Sequence, residues 1–257
     1  MAAFPCAAQV RPPAPQGAVA GDLVYPQAAR ETQIDVTPHL APASSADRML
    51  VPLAVEYGIT GVWQVVAQVT GVAPRTVGAT RLTSVEVGVR RSWMHVGRSN
   101  AHAAVGLDVE RELGAPTLAV AGVTGDDAQD NTGGVEVTPS LIVARDFPSL
   151  GAAHAFTHVA VGFTPRRTGG PALTPATLAW NTGLLVPVRH LWLSGELTAD
   201  RPLGDARSVD HAERSVRVTP GVVWPVTSGW ELAAGAPVHL TGPSAADRAV
   251  VRLTFEF

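Results

Sequence analysis

The amino-acid sequence predicts an all-β protein, a closed antiparallel up-and-down transmembrane β-barrel of about 12 strands over residues 32–257. Three observations predict it: apolar and polar residues alternate in segment after segment, connectors alternate between short and long, and the composition is apolar. With 46% hydrophobic and only 16% charged residues, the chain is more apolar than a water-soluble β protein requires. No apolar run reaches the 18 residues of a membrane-spanning helix, so a barrel is the membrane structure that remains.

The chain divides into two parts. Residues 1–31 are rich in Pro, Ala and Gly, and they predict a flexible lead-in. Their start resembles the end of an export signal that lacks a basic region and a full apolar core, so either the start is misplaced or the signal has been trimmed. Cys6 is the only cysteine, which excludes a disulfide framework and a cysteine-based zinc cluster.

Period-two alternation defines the strands. Twelve segments show it: Gln33–Leu40, Met49–Tyr57, Val62–Val72, Ser84–Met94, His102–Glu112, Val135–Phe147, Ala155–Thr164, Thr177–Val188, Leu191–Asp200, Val216–Val226, Trp230–Leu240 and Arg248–Phe257. In the last, one face carries Ala249, Val251, Leu253, Phe255 and Phe257, while the other face is mostly polar. Such alternation places one face against lipid and the other in the lumen.

The connectors between these segments strictly take turns in length. Short turns such as Gly58–Gly61 and Thr227–Gly229 alternate with longer, more polar connectors such as 113–134 and 201–214. An outer-membrane barrel has short periplasmic turns and longer outer loops, so the pattern favours this architecture over a soluble sandwich. An even strand count places both termini on the side of the short turns.

Tryptophans mark the membrane boundary. Trp63, Trp93, Trp224 and Trp230 all fall beside short turns, where an indole ring lies at the headgroup level, and they are predicted to form an aromatic girdle. Trp192 also falls beside a short turn, but strict alternation turns it inward.

The inward-facing positions carry most of the charge. The candidate lumen-lining residues on a solute path are Glu56, Glu86, Arg90, Asp108, Glu110, Glu136, His158, Glu196, Arg217, Glu231, Arg252 and Glu256. The full inward set has eleven acidic residues, adding Asp35, Asp146 and Asp200, and four arginines, adding Arg248, which leaves an excess of seven negative charges. A low-dielectric wall concentrates such a field and enriches cations.

Several stretches resemble a known family. The C-terminal segment, with Phe255 and Phe257 on its apolar face, resembles the terminal strand that the outer-membrane assembly machinery reads. Val55–Thr60 leading into Trp63, Trp180–Gly183, and Thr219–Trp224 are similar to the bacterial outer-membrane family labelled putative MetA-pathway-of-phenol-degradation or "transporter" proteins. The resemblance implies a barrel with a transport role, points to small aromatic compounds as solutes, and supplies no catalytic residues.

The predicted function is a narrow outer-membrane channel or transporter for small solutes with a cation-favouring lumen. Its partners are outer-membrane lipid, the assembly machinery and small-molecule solutes; no cofactor, metal or catalytic residue is expected. The lack of a basic excess argues against nucleic-acid binding. The main alternative is a plugged structural or adhesive barrel without transport, whose inward charges pair across a closed interior.

Three further alternatives have less support. A membrane-embedded lipid hydrolase needs an outward nucleophile and base, but the outward polar residues Thr157, Thr182, Arg91, Arg111 and Arg145 include no His or Ser. A soluble β-rich binding module conflicts with the segregated loop lengths. The acidic loop 125–131 offers oxygen ligands for calcium without the spacing of an EF-hand.

Overall fold

The computed structural model describes residues 15, 17–19, 21, 23–40, 48–74, 81–113, 134–165, 173–203, 215–241 and 249–257. Within these residues the chain is almost entirely β-strand, with two single-turn 3-10 helices at Val96–Arg98 and Pro148–Leu150. No helix in the described ranges is long and apolar enough to cross a membrane.

Fourteen strand segments build one sheet. They are β1 (Thr32–Val36), β2 (His39–Leu40), β3 (Arg48–Gly58), β4 (Trp63–Pro74), β5 (Arg81–Trp93), β6 (Ala101–Glu112), β7 (Val135–Phe147), β8 (Ala153–Pro165), β9 (Leu173–Val188), β10 (Leu191–Pro202), β11 (Ser215–Thr227), β12 (Trp230–Gly235), β13 (Val238–Thr241) and β14 (Ala249–Glu256). Because β1 and β2 share neighbours, and β12 and β13 both pair with β11, the segments form twelve barrel strands.

The sheet closes on itself. All ladders are antiparallel and join strands that follow one another in the chain, from β3 to β12. The ring is completed by β1, in which Gln33 lies between Glu56 of β3 and Glu256 of β14. Each of the twelve barrel strands therefore has two neighbours, and the predicted closed up-and-down barrel of twelve strands is confirmed.

Proline explains where the predicted strands break. The first predicted strand is interrupted around Pro38 and the eleventh around Pro237, because a proline has no N–H to donate to a ladder. Alternation alone did not separate these halves. Strand β9, which corresponds to the eighth predicted strand, begins at Leu173, four residues before the predicted start at Thr177. The predicted short turns lie among the described residues, whereas most of the longer connectors lie outside them.

The two faces of the wall differ as the alternation predicts. Large apolar side chains on the outer face stay exposed, up to 57% for Val87, as lipid-facing groups do in the protein alone. The buried apolar cluster lies inside the barrel. It includes Trp192, 2% exposed and inward-facing as strict alternation indicates, together with Ile142, Leu185 and Val223 of the wall. Further wall residues and four N-terminal residues complete this cluster, and the N-terminal residues are considered with the lumen below.

Candidate functional site: the barrel lumen

A cavity of about 320 Å³ lies inside the barrel. It is lined by residues of most strands, and seven of the twelve predicted lumen residues are among them: Glu56, Glu86, Arg90, Asp108, His158, Arg217 and Arg252. Directly paired residues of an antiparallel ladder point to the same face of the sheet, so the ladders also place Glu110, Glu136, Glu196, Glu231 and Glu256 on the inner face, outside this cavity.

Three carboxylates lie in direct register on neighbouring strands. Glu86 of β5 pairs with Glu110 of β6, and Glu110 pairs with Glu136 of β7. Cβ atoms of directly opposed residues are about 4.5–5.5 Å apart, so these like charges repel one another across the inner wall. Glu136 Oε1 accepts hydrogen bonds from the hydroxyls of Thr138 (3.2 Å) and Thr177 (3.5 Å). We call Glu86, Glu110 and Glu136 the acidic row.

The opposite wall pairs its charges. Arg252 of β14 donates to Glu231 Oε1 of β12 at 3.1 Å, and its Nε lies 4.0 Å from Asp35 Oδ1 of β1. Asp35 also accepts a hydrogen bond from the Thr254 hydroxyl. Arg252, Glu231 and Asp35 are all buried, so this network ties the last strands to the first through desolvated charges. On β11, Arg217 lies 4.0 Å from Asp200 Oδ2 in a more exposed pair.

The described part of the N-terminal segment lies inside the lumen. Ala18, Val19, Leu23 and Val24 are at most 3% exposed, and all four belong to the internal apolar cluster. The Val19 amide donates to Glu196 Oε1 of β10 at 2.7 Å. The residues between Pro15 and Arg30 that the structure describes, part of the predicted lead-in, therefore pack against the barrel wall. Residues 1–14 lie outside the described residues, and their predicted character stays a prediction.

Glycines in the wall make room for this segment. Gly221 of β11 and Gly235 of β12 are cross-strand partners, and a Cβ on either would come within 2.6 Å of a Val19 methyl carbon. Gly58, at the end of β3, lies directly against the Ala28 carbonyl oxygen, and a Cβ there would overlap it. The wall is thus shaped for the segment at two places, midway down the lumen and at the edge where the short turns lie.

A polar cluster holds the segment near the short turns. The Tyr25 hydroxyl donates to Asp146 Oδ1 at 2.8 Å, and His154 Nδ1 lies 2.8 Å from the same oxygen. The other carboxylate oxygen lies 3.1 Å from His102 Nε2. A carboxylate only accepts, so both imidazoles present an N–H to it, and His102 Nδ1 accepts from the His95 amide at 3.2 Å.

Sequence reasoning found the inward parity of Asp146 but missed its role. His102 and His154 are also on inward positions, yet nothing in the strand pattern links them to Tyr25, which lies in the predicted lead-in. The one available signal was the apolar content of residues 18–25, which is more than a solvated linker needs.

Solved structures with this architecture are found among porins. The NanC porin superimposes with a TM-score of 0.58 over 87% of this chain and 98% of that chain, at 9% sequence identity. The KdgM porin, solved in complex with disordered oligogalacturonate, gives a TM-score of 0.51 over 88% of this chain and 98% of that chain, at 8% identity. The chain has the barrel fold of a porin. No protein-family model and no curated protein matches it, so the resemblance to the MetA-pathway family stays a prediction.

The outer face of this porin fold carries the four predicted girdle residues. Trp63, Trp93, Trp224 and Trp230 are 38–56% exposed and lie beside short turns. The Arg91 guanidinium lies 5.3 Å from the Trp63 ring centroid and 4.9 Å from that of Trp93, the geometry of a cation–π contact. At the predicted membrane boundary, an arginine held between two indoles would keep its charge near the headgroups.

Polar groups on the outer face of the porin fold have partners within the wall. Trp180, in the middle of β9, donates its indole N–H to the Thr157 hydroxyl at 2.8 Å. Thr182 donates its own hydroxyl to the Phe156 carbonyl at 2.9 Å. In hydrocarbon an unsatisfied donor is expensive, so these bonds are what a lipid-facing surface would require of its polar side chains.

The C-terminal residues close the ring at the short-turn edge. The amides of Thr32 and Phe257 donate to each other's carbonyl oxygens at 3.1 and 2.9 Å. Phe255 packs edge-on against Trp230, with ring centroids 4.3 Å apart, and Phe257 is 75% exposed. The acidic loop considered for calcium, residues 125–131, lies outside the described residues. Among the described ones, no group of three or more His, Cys, Asp or Glu is placed to hold a metal.

Proposed function

We propose that the protein is a narrow channel of the bacterial outer membrane that favours small cationic solutes. The observation that carries this proposal is the charge of the inner wall. Among described inward residues, eleven are acidic and three are arginine, an excess of eight negative charges, against −3 for the whole chain. The porin fold supports a channel in general; the cation preference rests on this charge.

The arrangement of the charges strengthens the argument. Arg252 is occupied by Glu231 and Asp35, so its positive charge is neutralised locally. The acidic row lies on the other wall, where its three carboxylates are side by side on three neighbouring strands. A cation that passes this row relieves their mutual repulsion, whereas an anion adds to it. In a lumen walled by protein and lipid, such a field is screened less than on an open surface.

The test measures reversal potentials in planar bilayers under a salt gradient. The wild-type channel should pass potassium in preference to chloride, and Glu110→Gln should reduce that preference because it removes the middle charge of the acidic row. The direct cross-strand partners of Glu110 are both glutamates, so the variant removes two like-charge contacts and should fold. Asp127→Asn removes the same charge at a position that lies between β6 and β7 in the sequence, and it is the matched control. Anion selectivity of the wild type, or equal effects of both variants, would contradict the proposal.

A second candidate function has a specific observation in its favour. The N-terminal residues inside the lumen support a plugged structural or adhesive barrel without transport. This candidate predicts no conductance in any state of the protein. The two candidates therefore differ in whether the N-terminal segment can leave the lumen.

A further inference from the structure

We propose that the described residues of the segment between Pro15 and Arg30 form a removable plug whose receptor is the inner wall, and that the departure of this plug opens the pore. We call the described residues of this segment the N-terminal plug. The inference rests on the proposed channel function and adds the element that regulates it. The argument has three parts: the plug blocks the lumen, it is held without joining the sheet, and the chain leaves β1 through a turn on which it can swing.

The plug blocks the half of the lumen nearest the short turns. Its side chains reach from Tyr25, beside Asp146 of β7, to Val19, beside Glu196 of β10. Val19 and Gly21 line one side of the cavity, so the open space ends where the plug begins. A solute that reached the acidic row from the other side would meet apolar side chains of the plug instead of a continuous path.

The plug is bound as a ligand is, without joining the sheet. None of its described residues belongs to a strand, and its hydrogen bonds to the wall do not form a ladder. Four of its hydrogen bonds join the Val19 amide to Glu196, the Tyr25 hydroxyl to Asp146, the Gln27 amide to Gln64 and the Gln27 side-chain amide to Gln33 of β1. These four acceptors lie in a polar lumen, where water can replace the plug as donor once it leaves.

The wall beneath the plug also has unmet hydrogen-bonding capacity. Thr219 is completely buried, and its hydroxyl has no hydrogen-bond partner among the described residues. Asn181 Oδ1 has no partner among the described residues either, and the Nδ2 of the same side chain lies against Gly21. Departure of the plug would expose both groups to solvent. This gain offsets part of the cost of exposing the apolar plug residues, which favours a reversible plug over a permanent core.

The plug joins the barrel through a tight turn. The Arg30 amide donates to the Gly58 carbonyl at 2.7 Å, and the Glu31 amide donates to Ala28 at 3.1 Å. Arg30 has φ of 71°, a left-handed conformation that reverses the chain at the barrel rim. Strand β1 begins just beyond, at Thr32, so the plug can leave without disturbing a ladder.

A reversible crosslink tests the inference. In a Cys6→Ser background, Val19→Cys and Gly235→Cys bring two thiols together where a Cβ on Gly235 lies 2.6 Å from a Val19 methyl carbon. We measure the bilayer current of this double variant after oxidation and again after reduction. Labelling of the free thiols gives the extent of crosslinking in each state. Each single cysteine variant is a control, because a Cβ at Gly235 also comes within 2.9 Å of Thr219.

We expect current in the reduced form and a loss of about tenfold or more in the oxidised form, since a crosslink holds the plug at a high effective concentration. The single variants should not respond to oxidation. Independently, the Gly58→Ala variant should carry a larger current than the wild-type protein, because its added Cβ displaces Ala28. Gly61→Ala, in the following turn with no neighbour within 4 Å, should carry the wild-type current.

The outcomes separate the two proposals. If the fully crosslinked and reduced forms carry the same current, the plug does not close the path and the inference is wrong, while the channel function stands. If the current follows the crosslink but prefers anions, the inference stands and the cation preference is wrong. If no form conducts, Gly58→Ala included, both are overturned and the structural barrel is favoured.

Discussion

Arginine on the outer face of the barrel should be costly in proportion to its depth in the membrane. Val87 lies in the middle of β5, six residues from either end of Arg81–Trp93. At about 3.4 Å per residue and a tilt of about 40°, that distance is about 15 Å along the barrel axis, so Val87 lies near the centre of an apolar band about 25 Å tall. Its cross-strand partners, Ala67 and Val109, are apolar and offer no counter-charge.

Val87→Arg should therefore lower the free energy of unfolding by about 2–4 kcal/mol, the cost of a charged side chain at the bilayer midplane. Val188, on the same outer face at the short-turn end of β9 and in regular register with Leu191, is the matched control, because arginine at the boundary costs only about 0–1 kcal/mol. The residue types are the same in both variants, so differences in strand propensity cancel.

The assay is a urea titration of protein folded into phospholipid vesicles, followed by tryptophan fluorescence. We expect the two variants to differ by at least about 1 kcal/mol, with Val87→Arg the less stable. Equal costs at the two sites, or no cost at Val87, would show that this face does not lie in lipid. The orientation of the barrel in a membrane would then be wrong.

The remaining predictions concern the two ends of the sheet. Phe257→Asp should strongly reduce the amount of protein in the outer membrane, although a charge at the membrane boundary costs only about 0–1 kcal/mol, because we expect the assembly machinery to read this residue; normal levels in membrane fractions would contradict this, and normal refolding of the variant into vesicles is the control. Arg252→Met should lower the free energy of unfolding by about 3–5 kcal/mol, since it leaves Glu231 and Asp35 buried without their counter-charge. Adding Glu231→Gln should recover part of that loss in the same urea titration, and a further loss would contradict the network.

The wall of the barrel could be predicted from the sequence because its pattern is local. Alternation in a segment such as Ser84–Met94 assigns each side chain to a face without knowledge of any other strand. The same pattern turned Trp192 inward, and its 2% exposure confirms this. What alternation does not give is register. Alternation placed Glu86, Glu110 and Glu136 on one face. Whether they are direct cross-strand partners depends on the register between neighbouring strands, which alternation does not determine.

The interior could not be predicted for a different reason. Val19 is buried against Gly221 and Gly235, about two hundred residues away in the chain, and no periodicity in residues 15–30 announces those partners. A short stretch rich in Pro, Ala and Gly has the same composition and pattern whether it is solvated or enclosed by a barrel. The Tyr25–Asp146 contact, at a separation of 121 residues, was beyond a local pattern for the same reason.

The closure of the sheet between β1 and β14 has a kinetic consequence. No strand of the ring can leave without opening two ladders at once, and the contact between Thr254 and Asp35 spans 219 residues of chain. Such a ring has no weak edge from which unfolding can spread, so it should persist through the height of its unfolding barrier more than through its equilibrium free energy. The same separation makes the last pairing slow to form, because the chain must bring its two ends together before any contact between them contributes. The time between the formation of β13 and the docking of β14 is then the period in which the newly made chain most needs protection from other chains.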